Sequence, residues 1–126
     1  MKKFVIFLLL SVSGLIAKGQ ASKFEVVSRG KDSKGRINRL SVYVSKMSLI
    51  KKINPVLWGK YKSTKIKTFQ IFYYDDKKIA KAYHQLLYNK KITKKQMNSI
   101  SKHVVGEFEF VLGKENLFVG KNALLN

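Results

Sequence analysis

Residues 66–76 read Ile-Lys-Thr-Phe-Gln-Ile-Phe-Tyr-Tyr-Asp-Asp, and the way this stretch must be covered decides the fold. In an extended chain Phe69, Ile71 and Tyr73 point to one side, while Ile66, Phe72 and Tyr74 point to the other. Both sides are apolar, so the spacing predicts a central strand. Asp75 and Asp76 are good helix N-caps and predict that a helix follows directly.

Upstream, Leu49, Ile50, Ile53 and Leu57 recur at helical spacing, with Ser48 as a candidate cap. Pro55 leaves two forms open: one kinked helix, or a second short helix capped by Asn54 and begun by Pro55. Trp58 lies in the apolar stripe and is expected in the core, the alternative being an exposed stacking platform beside Gly59. Further back, Phe24–Ser28 and the alternating Leu40, Val42 and Val44 flank the turn-rich segment Gly30–Gly35, which predicts a hairpin. Its loop holds Lys31, Lys34 and two glycines and is followed by Arg36 and Arg39. A glycine-flanked basic loop can cradle a phosphate, but this one matches no phosphate-loop spacing and reads as a solvated turn.

Downstream, a helix is expected from Lys77 to about Tyr88, burying Ile79, Tyr83, Leu86 and Leu87, with a break at Asn89–Lys91. Thr93 and Gln96 have capping-box spacing, and Ile92 can staple to Met97 at the head of a helix from Lys94 to about Lys102. The last hairpin joins Val104–Leu112 to Leu117–Val119 through a turn at Gly113–Asn116. Phe108 and Phe110 should face inward, and Glu107 and Glu109 outward, opposite lysines on a neighbouring strand. The resulting order is β-β-α-β-α-α-β-β. It predicts an α+β domain: a small mixed or antiparallel sheet of about five strands with helices packed on one face.

Met1-Lys2-Lys3, the apolar run Phe4–Ile16, and the small residues Ala17 and Gly19 have the three parts of a secretory signal peptide. The run is 13 residues, short of the roughly 20 a spanning helix needs, so cleavage near Gly19 is expected rather than anchoring. The reading is a signal peptide over 1–19, then one α+β domain over 20–126 with a loose tail from Gly120. Such a protein would be periplasmic or secreted. The chain has no cysteine, which leaves no disulfide partner and makes core packing alone hold the domain.

Twenty-six basic residues face seven acidic ones, a net charge of +19. Without Lys2, Lys3 and Lys18 the mature chain would carry +16. That charge attracts polyanions: nucleic acid, anionic lipid headgroups, acidic polysaccharide or an acidic protein. Only three of the cations are arginines, the residue suited to forked contacts with bases, so sequence-specific recognition is not expected. The candidate binding residues are Lys60, Lys62, Lys65 and Lys67 before the central strand, supported by Lys77, Lys78 and Lys81 after it. No catalytic residue, metal site or cofactor is expected. The function predicted is a small exported binding module for an acidic partner. The alternative is a structural or accessory subunit of an envelope complex, and a hydrolase using His84 or His103 ranks third.

Overall fold

The computed structural model describes residues 23–87 and 92–121, with backbone alone for 83–87. The leader over 1–19, the break at Asn89–Lys91 and the tail over 122–126 lie outside the described residues, as do the side chains of Tyr83, His84, Leu86 and Leu87. Among the described residues five strands form one sheet: β1 (Phe24–Lys31), β2 (Ile37–Val44), β3 (Thr68–Tyr74), β4 (Val104–Val111) and β5 (Lys114–Val119). They lie in sequence order, and β2 pairs with β3 in parallel while the other neighbours are antiparallel. The element order and the α+β class are as the sequence predicts.

A parallel pair needs a crossover, and α1 (Ile50–Tyr61) supplies it. Its buried Ile50, Ile53, Leu57 and Trp58 cover the sheet face that carries Leu40, Val42, Val44, Phe69, Ile71, Tyr73 and Phe108. The opposite face carries Phe72, Tyr74 and Val104, packed with Ala80 of α2 (Lys77–Leu87) and Ile100 of α3 (Lys94–Ser101). The helices therefore divide between the two faces instead of sharing one. The cause is β3 itself, whose alternating residues are apolar on both sides. Ile66, expected beside Phe72, packs in the Phe69 cluster because the strand begins only at Thr68.

α1 is one helix with Pro55 inside it, preceded by a 3-10 turn over Met47–Leu49, and Ser48 makes no cap. Pro55 withdraws one helical hydrogen bond. Asn54 is not a cap either: it is buried, and its Oδ1 accepts the Tyr73 hydroxyl at 2.6 Å, tying the middle of α1 to β3. Burial pushes the Tyr73 hydroxyl far above its usual titration range, so it stays a donor. Trp58 is core, its ring centroid 4.8 to 5.5 Å from those of Phe69, Phe108 and Phe110. Gly106 lets α1 come close, since a Cβ there would stand 2.7 Å from Ile50 Cδ1.

The local signals hold for α3 and, at Asp76 but not at Asp75, for α2. Asp76 Oδ1 accepts Ile79 N–H at 3.0 Å, and the Thr93–Gln96 capping box is closed in both directions, with Ile92 and Met97 in one cluster. The last hairpin differs. Its turn is Leu112–Gly113, two residues with positive φ (54° and 79°), and β5 starts at once with Lys114. Nor do Glu107 and Glu109 face lysines. Phe72 and Phe118 flank Glu107, and Gln70 and Asn116 flank Glu109, because β4 lies between strands with no lysine at those positions.

Phe72 is 6% exposed and is the central contact of the second face. Phe72→Ala is expected to cost about 3 to 5 kcal/mol, read by chemical denaturation. Tyr73→Phe strands the buried Asn54 amide and should cost about 1 to 3 kcal/mol in the same assay.

Candidate polyanion-binding surface

Parallel pairing of β2 with β3 and antiparallel pairing of β3 with β4 bring three connections to one end of the sheet. These are the β1–β2 loop, the segment from α1 to β3, and the β4–β5 turn. The middle one is rich in lysine. It is shaped by Lys62 N–H donating to Trp58 O at 2.8 Å, Ile66 N–H to Ser63 O at 3.2 Å and Lys65 N–H to Ser63 Oγ at 3.3 Å. These backbone bonds leave the side chains on the outside, where Lys60, Lys62, Lys65 and Lys67 are all exposed.

Two adjoining clefts line this end. One, of about 420 Å³, takes Arg36, Lys60, Tyr61 and Lys65 into its wall. The other, of about 490 Å³, is bounded by Lys67, Thr68, Phe110 and Leu112. Ser63 and Ile66 belong to both, so the surface is continuous. Tyr61 joins two cations there: Lys60 Nζ lies 5.8 Å from its ring, and Arg29 Nε donates to its Oη at 3.1 Å.

Two carboxylates share this end, and each is already engaged. Glu115 Oε2 is 3.5 Å from Lys62 Nζ. Asp32 Oδ1 accepts the N–H groups of Lys34 and Arg36 at 2.8 and 3.0 Å, and its Oδ2 meets Arg36 Nε at 3.2 Å. The hydrogen bond from Arg36 N–H, ahead of the other contacts, holds the Asp32 carboxyl below its usual range. The β1–β2 loop is thus a turn wrapped on its own aspartate. The amides of Asp32, Lys34, Gly35 and Arg36 are taken, yet Arg36 is delivered to the cleft.

Lys77, Lys78 and Lys81 sit elsewhere. They follow the far end of β3, a strand of seven residues and so about 20 Å long. Lys77 Nζ is held by Glu25 Oε1 at 2.7 Å. The predicted set therefore splits, with Lys60, Lys62, Lys65 and Lys67 forming one surface and Lys77, Lys78 and Lys81 standing at the opposite end.

That opposite end holds a pair that sequence spacing does not reveal. His103 Nδ1 lies 2.8 Å from Asp75 Oδ1, and Asp75 N–H donates to His103 O at 3.0 Å. An imidazole oriented by a carboxylate is one part of a general-base device, whose other part is a nucleophile within reach. Both side chains are more than a third exposed, the two basic clefts lie at the other end, and the cleft of about 260 Å³ at this end is bounded by Lys23, Phe24, Leu49, Lys52 and Ile53 and by neither member of the pair. Among the described residues no three potential metal ligands cluster, and no helix is long and apolar enough to cross a membrane. No known protein family, characterised protein or solved structure matches this chain.

On β4, partial burial and then the charge of Glu109 push the Glu107 carboxyl up. A raised value means ionised Glu107 opposes folding: the penalty is absent below about pH 4 and grows as pH rises through the folded value. Glu107→Gln should therefore stabilise the domain at pH 7 by a few tenths of a kcal/mol, given solvent screening, and change nothing at pH 4. Denaturation curves at the two pH values check this.

Proposed function

We propose that this protein is an exported, non-enzymatic binding module whose acidic partner docks on the end of the sheet formed by Arg36, Lys60, Lys62, Lys65 and Lys67. The observation that carries the reading is the convergence of Arg36, Lys60, Lys65 and Lys67 on two adjoining clefts, with Lys62 exposed on the same connection, where the nearby carboxylates Asp32 and Glu115 are already paired with Arg36 and Lys62. An anionic ligand would meet exposed ammonium groups at Lys60 and Lys65 that, among the described residues, no carboxylate neutralises. Attraction of this kind is long-ranged, weakened by salt and indifferent to sequence. The leader-like Met1–Gly19 supports export, which would place the domain where anionic surfaces and polymers of the envelope are accessible. The competing reading, an envelope subunit whose lysines serve solubility, predicts no such affinity.

A salt titration by fluorescence anisotropy against short DNA and heparin separates the two. For DNA, log affinity should fall with log salt at about 0.7 to 0.9 per phosphate neutralised. Replacing Lys60, Lys65 and Lys67 together by glutamine should weaken binding and flatten the slope by about 2 to 3, with the denaturation midpoint unchanged. The same substitution at Lys77, Lys78 and Lys81 should leave the slope nearer to wild type. Absence of binding at low salt would favour the envelope-subunit reading.

A further inference from the structure

The β4–β5 turn contains an anomaly that the basic surface by itself does not use. Leu112 has φ of 54°, the left-handed region that disfavours a side chain branched beyond Cβ, and it is followed by Gly113 at φ 79°. Two-residue hairpin turns with both φ values positive favour Asn-Gly and Asp-Gly, for which this backbone is cheap. Here the first position holds a leucine instead, and it is 91% exposed. The residue thus combines backbone strain with an apolar side chain in water. Neither helps folding, and strain of this sort concentrates where a surface has a task.

The surroundings indicate the task. Leu112 and Gly113 line the same cleft as Lys67, Ser63 and Thr64, which adjoins the cleft of Arg36, Lys60 and Lys65. Lys114 follows the turn, and Lys62 reaches Glu115 beside it. One apolar tip beside Lys67 and Lys114 fits a layered target, with charge in the outer layer and hydrocarbon just beneath. A soluble polyanion offers the first layer only. An anionic bilayer offers both, and shallow insertion of an apolar group together with headgroup contacts is how peripheral proteins bind one.

We infer that the partner of the basic surface is an anionic lipid bilayer, with Leu112 entering the interface while Lys62, Lys65, Lys67 and Lys114 face the headgroups. The inference rests on the binding reading above and specifies its target. Leu112 is held ready by its turn, so no rearrangement is needed to expose it. The strain is then retained because the residue that would relieve it, asparagine, would not partition into lipid.

The test is the variant Leu112→Asn, made in the full 126-residue chain as purified, with its N-terminus read by mass spectrometry. Any contribution from a retained leader is common to wild type and variant. Both are titrated with vesicles of phosphatidylglycerol in phosphatidylcholine, with pure phosphatidylcholine vesicles, and with heparin. Wild type should bind the anionic vesicles and not the zwitterionic ones. Leu112→Asn should melt a few degrees higher, lose about tenfold in anionic-vesicle affinity, and bind heparin as wild type does. Because the chain lacks cysteine, Leu112→Cys carrying an environment-sensitive fluorophore should shift to the blue on anionic vesicles alone. Equal vesicle affinity of wild type and Leu112→Asn overturns the inference, as does binding of heparin without binding of anionic vesicles, and in both cases the polyanion reading stands. If wild type binds neither heparin nor vesicles at low salt, both readings fall.

Discussion

Burial of β3 on both faces is the constraint on which the rest of the structure depends. Phe69, Ile71 and Tyr73 are fully buried against α1, and Phe72 and Tyr74 are buried against α2 and α3. A strand apolar on both sides has to be internal to its sheet and covered twice. One cover is provided on the way in by the β2–α1–β3 crossover, the other on the way out by two helices before β4. The position of the basic surface follows from this. Having crossed the sheet, α1 must return the chain to the start of β3 through Lys62–Lys67, beside the β1–β2 loop and the β4–β5 turn.

What was legible in the sequence was whatever local chemistry determines. The alternation of 69–74, the Thr93–Gln96 box and the capping aspartate at 76 depend on residues within a few positions of one another, and each has the expected form. What was not legible depends on register or on long-range contacts. Asp75 meets His103 across 28 positions, and Asn54 meets Tyr73 across 19. Gly106 is needed because Ile50 approaches it, a condition no neighbouring residue announces. The division of helices between the faces could have been drawn from β3 alone, since its two apolar sides demand it.

The candidate site was legible in part for the same reason. Lys60, Lys62, Lys65 and Lys67 belong to one short connection, so proximity in sequence became proximity in space. Lys77, Lys78 and Lys81 are close in sequence to the strand but leave from its other end. Arg36 joins the surface only through sheet topology, and Leu112 is noticeable only once its φ is seen. The electrostatics at this end are uneven in a way that composition does not convey. Asp32 and Glu115 neutralise Arg36 and Lys62 locally, which leaves the charges of Lys60, Lys65 and Lys67 open to an outside partner, although Lys67 Nζ also donates to Thr64 O at 3.4 Å.

The most direct measurement is a map of where a polyanion touches the fold. With the protein labelled in nitrogen-15, amide shifts are followed as a short heparin oligosaccharide is added at low salt. Perturbations concentrated on Arg36, Lys60, Tyr61 and Ser63–Lys67, and reversed by added salt, are predicted. Perturbations centred on Lys77, Lys78 and Lys81, or spread evenly over all exposed lysines, would contradict a binding surface at the start of β3.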